Sequence, residues 1–179
     1  HFTTYSRAIP DDKTMRDPFA ILELQQKNYA VGQFLRDSFG LAENDIPDDQ
    51  PVILELMGTW CPNCKDASNF LKTVQKSHPD VQVVGLAFER KGLKAPQKHL
   101  EAYSKLLELN YPIYYGGPAS KAFAANKLPY VSKLESFPSF LFFDSKGRLI
   151  STYSGFYGPA TKEYNEQKRR LLDAASSIQ

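Results

Sequence analysis

The segment Val52-Ile53-Leu54-Glu55-Leu56-Met57 is apolar at both odd and even positions except for Glu55. Such a run suits a central strand covered on both faces rather than an edge strand with one wet side. Four residues later the chain reads Cys61-Pro62-Asn63-Cys64, and Ala67, Phe70, Leu71 and Val74 then recur at helical spacing up to His78-Pro79. A second apolar strand, Val81 to Ala87, follows. Strand, helix and strand in that order form a βαβ unit, whose two strands must run parallel. Any fold for this chain must accommodate that unit, with both cysteines at the seam where the first strand turns into the helix.

The remaining elements read outward from it. Phe19 to Leu24 and Tyr29 to Val31 are expected to form a leading hairpin, followed by a helical stretch with Phe34, Leu35 and Phe39. Asn44 to Pro51 is a polar loop. Pro96 stands where a helix would begin, with Leu100, Tyr103, Leu106 and Leu107 on its apolar face. Tyr111 to Tyr115 reads as an aromatic strand, Gly116-Gly117-Pro118 as a turn, and Ser120 to Lys127 as a short helix stopped by Pro129. Pro138 to Phe143 and Arg148 to Tyr153 flank Asp144-Ser145-Lys146-Gly147 and so predict an antiparallel pair. A last helix carries Tyr164, Leu171, Leu172 and Ala175 on its buried side, with Glu163 in its first turn.

The 179 residues are expected to form a single domain, with residues 1–17 a poorly defined N-terminal extension. Basic and acidic residues nearly balance, 22 against 20, and no basic run exists, so neither a nucleic-acid footprint nor a polybasic membrane patch is expected. No apolar stretch reaches the ~18 residues needed to span a bilayer. Both cysteines belong to one motif, so there is no disulfide framework from which to read a redox compartment.

The chemistry is concentrated in Trp60-Cys61-Pro62-Asn63-Cys64. A cysteine at the start of a helix meets unpaired N–H groups and the positive end of the helix dipole, which stabilise its thiolate. Cys61 is therefore expected to be the exposed, acidic thiol, with Cys64 one turn along as the buried partner able to close a disulfide. The competing reading is a structural zinc knuckle, but the only downstream histidines, His78 and His99, are too far apart for a finger. No metal or cofactor is expected. Glu55, six residues before Cys61, is a proton-acceptor candidate for Cys64; the alternative is a solvated glutamate or an ion pair with a lysine. Trp60 serves either as core or as a flat shield and docking face beside the sulfur.

The order strand, Trp-Cys-x-x-Cys, helix, strand, Pro-led antiparallel pair and final helix resembles a thioredoxin fold. Gly58-Thr59-Trp60-Cys61-Pro62-Asn63-Cys64 and Phe137-Pro138-Ser139-Phe140-Leu141-Phe142-Phe143-Asp144 with Lys146-Gly147 resemble the TlpA/ResA-type thioredoxin-like proteins in particular. The resemblance runs from about Pro18 to the final helix. It implies an α/β thioredoxin-like fold with an N-terminal β-hairpin led by Pro18-Phe19 and a central helix–strand insertion between Pro96 and Tyr115. It further implies a thiol:disulfide oxidoreductase that reduces protein disulfides in the periplasm or another extracytoplasmic space, with any membrane anchor lying ahead of His1. Its partners would be proteins with disulfides or thiols, including apocytochrome cysteines, and an upstream thiol reductase.

The resemblance also implies that Phe137-Pro138 is cis and that Trp60, Pro62, Phe137 and Pro138 contact the client, whereas an ordinary X-Pro bond is trans. Two positions depart from the branch. Ala67 stands where a glutamate is frequent, and the large Phe137 stands where a small or β-branched residue is usual. A peroxiredoxin, which shares the fold, needs Thr or Ser three residues before its cysteine and Pro four residues before that. Cys61 has Gly58 and Leu54 there, and Cys64 has Cys61 and Met57. A redox-inert peptide-binding module is the third class, and the intact cysteine pair argues against it.

Overall fold

The computed structural model describes residues 31–41, 46, 48–128, 130, 131 and 133–179. Helix α1 (Val31–Phe39) precedes β1 (Val52–Met57), α2 (Pro62–Ser77), β2 (Gln82–Glu89), α3 (Pro96–Leu107) and β3 (Ile113–Pro118). Then come α4 (Lys121–Lys127), β4 (Ser139–Phe143), β5 (Leu149–Ser154) and α5 (Tyr164–Ser177). The strands form one sheet in the order β3-β2-β1-β4-β5. β1 pairs in parallel with β2 and antiparallel with β4, so the strand that leads to the cysteines is the central one.

Alternation along β1 divides its side chains between two cores. Val52, Leu54 and Leu56 meet Val31 and Leu35 of α1 and Ala124 of α4 on one face. On the other, Ile53 meets Phe70, Leu71 and Val74 of α2 and Leu171 and Ala175 of α5, while Met57 meets Cys64 and, from α3, Leu100, Tyr103 and Leu107. Every β1 residue is buried, as the unbroken apolar run requires.

Four expectations need correction or lie out of view. The hairpin segments Phe19 to Leu24 and Tyr29-Ala30 fall outside the described residues, and Val31, expected to close the second strand, opens α1 instead. Gly116-Gly117-Pro118 is the end of β3 and not a turn. There the register slips by one residue, from Ala87 opposite Tyr115 to Phe88 opposite Gly117, so Gly116 is the extra residue of a bulge. Gly117, at φ 132°, lies so close under the Phe123 ring that a Cβ would overlap it. Pro118 is tolerated because β3 is an edge strand. Leu106 is not on the apolar face of α3 but 76% exposed, while Leu100, Tyr103 and Leu107 are buried. Glu163 stands at the N-cap of α5 without a side-chain cap bond, and Glu166 is the acid of the first turn.

Candidate active site

β1 ends at Met57, and the backbone turns through Gly58 to Trp60 before α2 begins. Gly58 is buried and a Cβ there would overlap the Trp60 indole, so the ring can fold back over the chain only because residue 58 has none. Trp60 Nε1 donates to the Phe88 carbonyl at 2.9 Å, the Phe137 ring meets the indole edge-on at 6.1 Å, and the Arg90 guanidinium lies 5.2 Å from its centroid. Thr59 is held from the side: its N–H and hydroxyl donate to the two oxygens of Glu89 at 2.8 and 2.9 Å. Since that hydroxyl proton is committed to Glu89, His99 Nε2–H donates to Thr59 Oγ1, at 2.7 Å.

Cys61 is the N-cap of α2, in extended conformation, and Pro62 occupies the first helical position, where its missing N–H costs nothing. Cys61 Sγ accepts from the Cys64 N–H at 3.4 Å, so the sulfur sits at the unpaired amides of the helix start. Pro62 and Asn63 beside it are exposed. The two cysteines are free thiols. Their environments differ, though less in exposure than the sequence suggests: Cys61 is 8% exposed rather than open, and Cys64 is fully buried. Met57, Leu100, Tyr103 and Leu107, with Phe137 at the margin, close around the pair. Burial pushes the Cys64 thiol far up, and the Cys61 sulfur and the Glu55 charge push it further.

The Phe137-Pro138 bond is cis. It brings the Phe137 carbonyl to 3.7 Å from Cys61 Sγ, so the segment before β4 faces the sulfur at the head of α2. Pro138 is buried and Phe137 half-buried, its ring also 5.6 Å from that of Phe88. Phe137 is thus part of the wall that holds Trp60 as well as a neighbour of Cys61.

Glu55 is fully buried on the α2 side of β1, opposite Gly85 of β2 and Phe140 of β4. Neither a solvated glutamate nor a lysine pair describes it. Ser68 Oγ lies 3.3 and 3.2 Å from its two oxygens, and Tyr111 Oη donates to Oε2 at 3.1 Å. Desolvation lifts its pKa from about 4.5 to about 8, against the pull of the Tyr111 and Ser68 bonds.

The structure therefore brings Glu55, Trp60, Cys61, Pro62, Cys64, Phe137 and Pro138 to one end of the central strand. Sequence reasoning missed Ser68, Tyr111, Thr59, Glu89 and His99. Ser68 had a readable signal: it is a lone hydroxyl on the apolar face of α2, four residues after Cys64. Tyr111 was expected to be core, and it is buried as core would be, but its hydroxyl is committed to Glu55. Among the described residues no group of three or more His, Cys, Asp or Glu is placed to hold a metal ion, and no helix is long and apolar enough to cross a membrane.

The family model of the thioredoxin-like domain matches residues 46–167, which run from the loop before β1 into α5. The chain belongs to the thioredoxin-like domain family. No curated protein matches it in sequence. Among solved structures it is similar to a secreted Mycobacterium tuberculosis disulfide oxidoreductase homologous to Escherichia coli DsbE, at 18% identity and a TM-score of 0.51, covering 73% of this chain and 83% of that one. M. tuberculosis DsbF, solved in mixed oxidised and reduced forms, matches at 17% identity and a TM-score of 0.52, covering 73% and 82%. At these identities the likeness is one of fold.

Proposed function

We propose that this thioredoxin-like domain is an extracytoplasmic thiol:disulfide oxidoreductase of the TlpA/ResA type that reduces disulfides in other proteins. The observation that carries the reading is the asymmetry of the two thiols. Cys61 Sγ is at the helix start, next to exposed Pro62 and Asn63, whereas Cys64 is sealed behind it with its proton held tightly.

The Cys61 thiolate attacks one sulfur of a client disulfide. The client S–S bond breaks, a Cys61–client disulfide forms, and the other client sulfur leaves as a thiolate that takes up a proton. Cys64 then gives its proton to ionised Glu55 and attacks Cys61 Sγ, which expels the second client sulfur and leaves a Cys61–Cys64 disulfide. Client disulfide and dithiol have exchanged two electrons, and an upstream thiol reductase restores the pair. Glu55 suits the acceptor role because a carboxyl titrating at about 8 is a stronger base than an ordinary one while still partly ionised at neutral pH. Trp60, Pro62 and Phe137, with buried Pro138 behind Phe137, frame the sulfur as the surface on which a client strand lies.

Reduction of insulin driven by an external thiol tests the reading. Turnover that depends on both Cys61 and Cys64 is expected. A protein that reduces peroxide but not insulin would be a peroxidase, and one that does neither would be a peptide-binding module. The potential of the pair against glutathione fixes the direction: about −270 mV, as in thioredoxin, marks a reductant, and about −120 mV, as in DsbA, an oxidant.

A further inference from the structure

We propose that Tyr111 is a positioning residue for the thiol exchange: its hydroxyl swings between the Glu55 carboxylate and the Ser68 main-chain carbonyl, and this movement lets a sealed carboxyl both accept and release the Cys64 proton. The inference rests on the reading of Glu55 as that acceptor.

A carboxylate accepts hydrogen bonds only, whereas a carboxylic acid also has a proton to donate. A carboxyl with no solvent contact must find partners for both forms among fixed groups, since a buried group left unmatched is costly. For the anion, the Ser68 and Tyr111 hydroxyls both donate. For the acid, the new proton on Oε2 needs an oxygen, and Tyr111 Oη at 3.1 Å can receive it only by turning its own proton elsewhere. The Ser68 carbonyl, 3.4 Å from the same Oη, accepts that proton. Ser68 Oγ–H meanwhile donates to Oε1, at 3.3 Å. Every proton then has an acceptor in both settings, and the only proton transferred is the one from Cys64 to Glu55.

The neighbours are consistent with this division. Among the described residues, the titratable groups next to Glu55 and the cysteines are Cys61 and Cys64 at the head of α2, Tyr103 of α3, and Tyr111 ahead of β3, while Tyr153 of β5 and Tyr164 of α5, on the same side of the sheet, lie against Phe142 and Phe156. The flanking strands contribute Gly85 and Phe140, and α5 with its C-cap Ile178 contributes apolar Leu171, Ala174 and Ala175. Tyr103 is a second buried phenol, less deep than Tyr111, that lies against the cysteines, and its hydroxyl makes no hydrogen bond to Glu55. It provides an internal control, a tyrosine in the adjoining cluster that does not bond Glu55.

The test uses the full chain with Tyr111→Phe and Tyr103→Phe. The Glu55 carboxyl is titrated by side-chain carbon NMR, assigned with Glu55→Gln, and the rate at which Cys64 resolves a preformed Cys61 mixed disulfide is followed against pH. Loss of one hydrogen bond to a charged group predicts that both profiles move up by about one pH unit in Tyr111→Phe, with resolution about tenfold slower at neutral pH. Tyr103→Phe, which removes no hydrogen bond to Glu55, should move both profiles by clearly less than Tyr111→Phe does. If Tyr111→Phe does not fold, Ser68→Ala should shift them in the same direction. Unchanged profiles in Tyr111→Phe, or an equal shift in Tyr103→Phe, overturn the proposal. Resolution by Glu55→Gln at the parent rate would show instead that Glu55 is not the acceptor, and the proposal falls with that reading.

Discussion

Replacing Glu55 by glutamine should remove a pH dependence from the stability of the whole fold. The carboxyl is fully buried and its pKa rises from about 4.5 to about 8. A raised carboxyl pKa means that the native state holds the proton more tightly than the unfolded chain. The contribution is fully present below the unfolded pKa of about 4.5 and is lost as pH climbs through the folded value of about 8. Each pH unit in that window is worth about 1.4 kcal/mol, so the parent loses about 5 kcal/mol across it and about 3 kcal/mol by pH 7. That is a large share of the ~5–15 kcal/mol that holds a typical domain together.

Glutamine has nearly the same shape and does not titrate. A mispaired amide would offset its stability by a constant and leave the slope untouched. Denaturant unfolding of the two reduced proteins from pH 4 to pH 9 gives the comparison, because every other titrating group is common to both. The stability difference should move by about 5 kcal/mol in favour of Glu55→Gln as pH rises. Parallel curves would mean that Glu55 ionises as easily in the fold as outside it, and the burial argument would be refuted.

Other consequences are as direct. Phe137→Thr removes a ring that touches both Trp60 and Phe88, so it should lower stability by about 2 kcal/mol in denaturant unfolding while widening the range of reducible proteins. The potential of the cysteine pair should not move. Thr59→Val leaves Glu89, only 4% exposed, without its hydroxyl donor, and should cost about 1 to 3 kcal/mol, with Thr59→Ser restoring it. Alkylation of the reduced protein near neutral pH should label Cys61 ahead of Cys64, followed by peptide mass; the reverse order would exchange the two roles.

The parts of the fold that were legible are those where burial imposes a period. β1 and α2 match their expected limits because an uninterrupted apolar run and a spacing of three and four leave little choice. β3 was misread because glycine and proline ordinarily mark turns, and a bulge on an edge strand is one of the few places where they continue a strand. Leu106 and Leu107 are adjacent, and helical periodicity alone does not choose between them; packing against Met57 and the cysteines selects Leu107.

The site divides along the same line. Cys61, Cys64 and Pro138 are legible from local motif, and Glu55 from the oddity of an acid in an apolar strand. The partners of Glu55 were not. Tyr111 is 56 residues away in sequence, and a phenol that fills core space and one that holds a carboxylate have the same hydrophobic signature. Only the three-dimensional arrangement shows which it is: Gly85 of β2 stands between Glu55 of β1 and Ile113 of β3, which brings Tyr111 alongside the carboxyl.

The central claim is that Cys61 attacks and Cys64 resolves, and trapping of the intermediate measures it most directly. The Cys64→Ser protein, reduced and mixed with a disulfide-bearing client, is examined by intact mass under non-reducing conditions. A stable one-to-one adduct linked through Cys61 is expected, absent from Cys61→Ser and released by added thiol. An adduct on Cys64 in Cys61→Ser, with none on Cys61 in Cys64→Ser, would contradict it.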